Sequence, residues 1–257
     1  MQVEHTAPVS YTLPLGDASV PMNPLLGKQI KLEFNGEINC IHCRRKTSKS
    51  FQQGFCYPCT QQLAQCDICI LKPELCHFHK GTCREPGWGE QHCMIDHFVY
   101  LAVSSGLKVG ITRHTQIPTR WIDQGAVSAI PLARVASRFD SGKVEVALKE
   151  YFQDKTNWRN MLKNIFPEVD PADEKTKIVP VLDKILGKLE TTEILDSQVY
   201  TFEYPVLEYP SKINSLSFDK QPLVEGTLMG IKGQYLLLDT GVINIRKYGG
   251  YRITLSY

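Results

Sequence analysis

All nine cysteines of this 257-residue chain fall between positions 40 and 93, and six of them form three Cys-x2-Cys pairs. A cluster this dense marks a module whose fold is set by what its sulfurs bind. The count is odd, and the first residues, MQVEHTAPVSYTLPLG, lack the basic start and apolar run of a secretory signal. Both features argue against a disulfide framework and for reduced thiolates holding metal. The expected location is therefore a reducing compartment, the cytoplasm.

Cys40-x2-Cys43, a gap of twelve residues and Cys56-x2-Cys59 describe one site. Each Cys-x2-Cys turn aims two thiolates at a point, and two such turns close a tetrahedron with no open position, so the expected ion is a structural zinc. A redox pair of the thioredoxin kind occurs once per domain, not three times in thirty residues. Cys66 and Cys69 open a second group, which Cys76 and Cys83 would complete as another zinc site. Cys93 or one of His77, His79, His92 and His97 could replace either, interleaved pairing is open, and four thiolates also suit an iron–sulfur cluster. Arg44, Arg45 and Lys46, followed by Lys49, place a basic loop on the first finger, suited to phosphate contacts.

Hydrophobic residues make up 42% of the chain and charged residues 22%, which excludes wholesale disorder. No apolar run approaches the ~18 residues of a membrane span, so no membrane partner is expected. Net charge is only +2, yet residues 97–165 hold ten Lys/Arg against five Asp/Glu, while 166–210 hold four against ten. The basic block fits an anionic ligand.

Periodicity divides the chain into five parts. Residues 1–33 read as an extended or β lead-in, and the alternation of Gln29 to Phe34 is that of a strand. The Cys-rich zinc-binding module covers 34–96. Residues 97–166 form an α/β domain: HFVYLAV and LKVGIT are a hairpin about Ser104-Ser105-Gly106, IPTRWIDQ is a short helix ending at Gly125, and AIPLARV is a third strand. Ser141 would cap a helix through VEVALKEYFQ, and Thr156 would cap NWRNMLKNIF. Residues 167–197 are an acidic helical connector, with a helix around Ile178 to Leu189 and Pro180 near its start. Residues 198–257 are a β module, which the N-terminal strand would complete. The fold class is α+β.

Chemistry concentrates after the cysteines. Tyr100 lies on one side of the hairpin and Lys108 and Gly110 on the other, bringing a phenol and an ammonium together, and a neighbouring cation would lower the tyrosine pKa. Arg120 follows on the short helix and Glu145 on the next. Base, charge stabilisers and metal ligand are the parts of phosphodiester hydrolysis.

The order and spacing of these residues resemble the GIY-YIG endonuclease superfamily. Val99-Tyr100 stands where I-Y would be and Lys108-Val109-Gly110 where Y-I-G would be; Arg120 matches the helical arginine and Glu145 the metal-binding glutamate. Phe98 replaces the first glycine, Lys108 replaces the second tyrosine, and Asn157 is the nearest counterpart of a late asparagine. The resemblance covers about 97–160. It implies a three-stranded sheet with flanking helices and a nuclease in which Tyr100 activates water, Glu145 holds Mg²⁺ or Mn²⁺ and Arg120 stabilises the scissile phosphate. The whole chain, with GTCREPGWGE before the hairpin and RWIDQGA after it, resembles an uncharacterised domain family in which a Cys-rich module leads into this hairpin.

Three readings follow. The first is a metal-dependent nuclease acting on DNA or RNA, with phosphate contacts from Arg44, Arg45, Lys46, Arg113 and Lys143. The second is a zinc-containing nucleic-acid-binding protein on the same scaffold without hydrolysis. The third is an interaction protein whose C-terminal sheet and acidic segment recruit partners. The basic block favours the first two, and intact Tyr100, Arg120 and Glu145 favour the first.

Overall fold

The alternation that begins at Gln29 runs on to Asn39, and it ties the two ends of the chain together. The computed structural model describes residues 1–152, 156–190 and 192–257. Before that strand, β1 (Gln2–Glu4), β2 (Ser10–Leu15) and β3 (Ala18–Pro21) form a small antiparallel sheet of their own. The lead-in is therefore folded structure, because Tyr11 and Leu13 alternate onto one face and are buried. The long strand is β4 (Gln29–Asn39), which β5 (Lys46–Thr47) joins at its far end.

The Cys-rich segment carries little regular structure: α1 (Tyr57–Gln62), a series of single 3-10 turns, and α2 (Pro86–His92). The hairpin follows as β6 (His97–Val103) and β7 (Leu107–Arg113), in antiparallel register with Tyr100 opposite Gly110 and Ala102 opposite Lys108. The short helix is α3 (Thr119–Asp123), with Pro118 at its N-cap and Gly125 just beyond its end at φ +68°. Next come β8 (Ser128–Val135), α4 (Arg138–Leu148) and α5 (Trp158–Leu162).

Two caps differ from expectation. Ser137, not Ser141, caps α4, its hydroxyl accepting from the Asp140 N–H, while Ser141 lies inside the helix and donates to the Arg138 carbonyl. Asn157, not Thr156, caps α5. Ser and Thr near a helix start compete for this role, and the backbone path rather than residue type decides which one is used.

The acidic stretch holds the expected helix. Its helix, α6 (Pro171–Leu186), begins seven residues earlier than expected and runs through Pro180. Ile178, Leu182 and Leu186 form a stripe four residues apart, which packs with Val144 and Leu148 of α4 over Val99, Leu101 and Leu132. Each such leucine, fully buried, contributes about 1.5–3 kcal/mol. Then β9 (Thr192–Ile194) and β10 (Tyr200–Thr201) both pair with β8, so the central sheet runs β10-β8-β6-β7 with β9 alongside β8. The hairpin and third strand expected from the sequence are its three consecutive strands β8-β6-β7.

The last residues supply β11 (Leu223–Lys232), β12 (Tyr235–Leu238), β13 (Gly241–Asn244) and β14 (Tyr251–Ser256). Strand β4 lies between β11 and β14, so the N-terminal strand does complete the C-terminal sheet. Period-two alternation gives β6 two different neighbours. Val99 and Leu101 face α4 and α6, while Tyr100 and Ala102 join a second core with Trp121, Ile122, Ile30, Leu32 and Leu236. The result is mixed α+β with several antiparallel sheets around a Cys-rich module. Among the described residues, no helix is long and apolar enough to cross a membrane.

Candidate active site and metal centre

Cys40, Cys43, Cys56 and Cys59 converge: all four sulfurs lie within 4.8 Å of one another, and Cys43 and Cys56 are 3.7 Å apart. A tetrahedral ion with bonds of about 2.3 Å to sulfur sets its ligands about 3.8 Å apart, so the spacing fits zinc. Cys40, at the end of β4, starts a tight turn in which Arg44 takes a positive φ of 61° and donates its N–H back to the Cys40 carbonyl. The second pair enters α1, with Pro58 in its first turn. Burial works to raise the Cys40 thiol pKa, but backbone N–H donors at Cys43, Cys56 and His42 outweigh it and hold the thiol below its ordinary range. Three of the four cysteines are buried, and only Cys43 is exposed. This four-cysteine cluster can hold a metal such as zinc.

The remaining cysteines divide differently from the grouping read in the sequence. Cys66 packs with Phe55, Leu63 and the cysteines of the first cluster. Cys69, Cys76 and Cys83 line a separate small space together with Cys93. Spacing alone makes Cys66 and Cys69 look like one pair. Cys66 ends one 3-10 turn and Cys69 sits in the next, and the two side chains part company.

Four elements deliver the candidate catalytic residues. Tyr100 on β6 is buried, and its hydroxyl donates to Gln124 Oε1 at 3.2 Å just past α3. Its ring lies over Gly110: a Cβ built there would stand 2.6 Å from the phenolic oxygen. Lys108 lies two residues along β7 on the same face and donates to Thr156 Oγ1 at 2.8 Å. Arg120 on α3 is exposed, and Glu145 on α4 is half-buried.

The charges of Arg120 and Glu145 act on both Tyr100 and Lys108. Burial, and after it the Arg120 guanidinium, push the Lys108 ammonium down to about 8, against a smaller pull from Glu145. Burial raises the Tyr100 phenol above its ordinary value; Arg120 opposes this and Glu145 adds to it. The Glu145 carboxyl is also raised, first by burial, with Lys149 opposing and Glu74 reinforcing. The expectation that Lys108 lowers the tyrosine pKa is thus reversed. Removal from water outweighs the neighbouring cation, and the cation that counts is Arg120.

Glu74 and Gln124 were not singled out in the sequence. Glu74 reaches this region because the loop at Pro73 packs on α4 at Gly142, where a Cβ would come within 2.4 Å of the Glu74 backbone nitrogen. No local pattern announces either residue. Asn157 serves its own helix as a cap.

The basic residues lie on different elements. Arg44 and Arg45 are exposed in the finger loop. Lys46 pairs with Glu37 at 3.7 Å; Lys143 pairs with Asp140 at 2.8 Å and lies over the Phe139 ring. Arg113, half-buried, ends β7.

A family model described as "Protein of unknown function (DUF2797)" matches residues 27–253. The chain belongs to the DUF2797 family. The match begins just before β4 and ends inside β14, so DUF2797 takes in the cysteine module, the central sheet and the sheet closed by β4, and leaves out β1 to β3. The uncharacterised family expected from the sequence is met, and its description names no activity. No curated protein and no solved structure matches the chain.

Proposed function

We propose that this DUF2797 chain is a metal-dependent nuclease of the GIY-YIG kind, hydrolysing phosphodiester bonds in DNA or RNA, with zinc in the Cys40–Cys59 site. What supports the reading is that Tyr100 and Lys108 share one face of the hairpin and both feel the charges of Arg120 and Glu145. Structural thiolates also suit a reducing, cytoplasmic setting.

Chemically, Lys108, whose ammonium burial and Arg120 hold at about 8, is assigned as the proton acceptor in its neutral form, which dominates above that pH. The Tyr100 hydroxyl, protonated at neutral pH, orients the attacking water. Water oxygen bonds to phosphorus as its proton passes to Lys108, the phosphorus–ester oxygen bond breaks, and the leaving oxygen takes a proton from solvent. Arg120 offsets the negative charge that builds on the phosphate. Glu145 would hold Mg²⁺ or Mn²⁺, an ion that supplies charge neutralisation at the phosphate when bound. The fit is chemical: a half-buried carboxylate, paired with Lys149 at 3.9 Å and acted on by the Glu74 charge, is further relieved by a cation. Exposed Arg44 and Arg45 in the zinc finger supply phosphate contacts.

A second reading, a binding protein without hydrolysis, draws on the burial of Tyr100, which is only 1% exposed. One experiment separates them. Wild-type and Glu145→Gln proteins are incubated with a mixed pool of single- and double-stranded DNA and RNA and either metal, at two salt concentrations. Metal-dependent cleavage lost in Glu145→Gln supports the nuclease. Salt-sensitive binding with no cleavage supports the second reading, and neither binding nor cleavage sinks both.

A further inference from the structure

We infer that the protein holds a second zinc between Cys69, Cys76, Cys83 and Cys93, with Cys66 outside both metal sites. These four cysteines line one small space walled by Phe78 and Trp88. Cys93 reaches the space from the end of α2, and the Cys83 sulfur lies against Gly89, one turn earlier on the same helix face. Three of the four are buried and Cys83 is half-buried.

The oxygen and nitrogen donors nearby are already engaged. The Asp67 carboxylate, though close to Cys69 and His77, takes the Arg84 Nε at 2.7 Å and accepts from the Cys69 N–H. His77 shares a hydrogen bond with Thr82 through Nδ1 and turns Nε2 toward Asp67. They are left as an outer layer around a four-sulfur site. Cys66 sits against the first cluster, where four sulfurs already close the tetrahedron.

The second zinc closes the loops on which α4 rests. Arg138, the first residue of that helix, donates its N–H to the Cys93 carbonyl at 2.8 Å. Its guanidinium donates to the carbonyls of Cys69 and Ile70. Gly142, one turn on, lies against Pro73 and Glu74, and Glu145 follows three residues later. Occupancy of the site therefore fixes the helix that carries Glu145. That consequence rests on the hydrolase reading; the site itself does not.

The test measures metal, not activity. Elemental analysis and native mass spectrometry of the full chain, kept reduced, should find two zinc per wild-type molecule, two in Cys66→Ser, and one in Cys93→Ser and Cys83→Ser. Should the latter variants fail to fold, X-ray absorption at the zinc edge of the wild-type protein decides: four sulfurs per zinc on average supports the assignment. One zinc per wild-type chain, iron with acid-labile sulfide, a nitrogen or oxygen ligand in the average shell, or loss of zinc from Cys66→Ser would each overturn it.

Discussion

Gly110 lies under the ring of Tyr100 on the neighbouring strand, so close that a Cβ would stand 2.6 Å from the phenolic oxygen and 2.7 Å from Cζ. The glycine of the Lys-Val-Gly run is thus the floor on which the tyrosine rests. Any side chain at 110 must move Tyr100 away from Gln124, or open the hairpin. Gly110→Ala should cost about 1–3 kcal/mol of stability through overpacking. It should also reduce cleavage by as much as Tyr100→Phe does, with binding retained in both. Urea denaturation and a cleavage assay check the two effects; full activity in Gly110→Ala would mean the tyrosine's position is unimportant.

Lys108 sets the pH dependence. Its amine must be neutral to accept a proton, and its pKa lies at about 8. The cleavage rate should climb tenfold per pH unit below that value and level off above it. Lys108→Met should lower the plateau by about 10²–10⁴-fold. A profile that is flat from pH 6 to 9 would remove Lys108 from the chemistry.

Arg120 and Glu145 should separate by readout. Arg120→Ala should weaken substrate binding and slow cleavage by about 10²–10³-fold, since a guanidinium meets the phosphate before and during reaction. Glu145→Gln should leave binding nearly unchanged and abolish metal-dependent cleavage, with excess Mg²⁺ or Mn²⁺ giving poor rescue. Cleavage unchanged in Glu145→Gln would place any observed activity elsewhere.

His97 gives stability a second pH dependence. It is fully buried, its Nδ1 is bonded to the Ile95 carbonyl, and its Nε2 has no partner among the described residues. Burial pushes its pKa down to about 4. The unfolded chain, with an ordinary value near 6.5, binds the extra proton first. Stability from the neutral ring is therefore complete above about pH 6.5 and lost as pH falls to about 4, a change of about 3 kcal/mol. Urea midpoints measured across that range should fall in wild type and flatten in His97→Gln.

Zinc at the first site should hold the finger loop closed. Binding free energy at thiolate sites of this kind is folding free energy. Chelation or Cys40→Ser should let trypsin cut at Arg44, Arg45 and Lys46 far faster than in the metal-loaded protein. Identical cleavage with and without chelator would show that the metal does not order the loop.

Much of this was legible in the chain itself, wherever the information is local. Two Cys-x2-Cys turns fix Cys40, Cys43, Cys56 and Cys59 as one cluster, because each pair is held by its own backbone turn. The hairpin register that sets Tyr100 opposite Gly110 follows from two alternating runs and one short turn. The strand from Gln29 was foreseen to close the C-terminal sheet, because a β module needs more pairing than one hairpin gives.

What the tertiary structure alone decided depends on residues distant in sequence. Cys93 displaces Cys66 at the second cluster because α2 swings it back to Cys76. The stretch 167–197 becomes part of the central sheet's cover because the Ile178, Leu182 and Leu186 stripe meets Val99 and Leu101, some eighty residues away. The proton affinity of Tyr100 runs opposite to what charge proximity suggests. Proximity along a hairpin can be read from register, but the loss of water around a side chain is set by everything that packs over it.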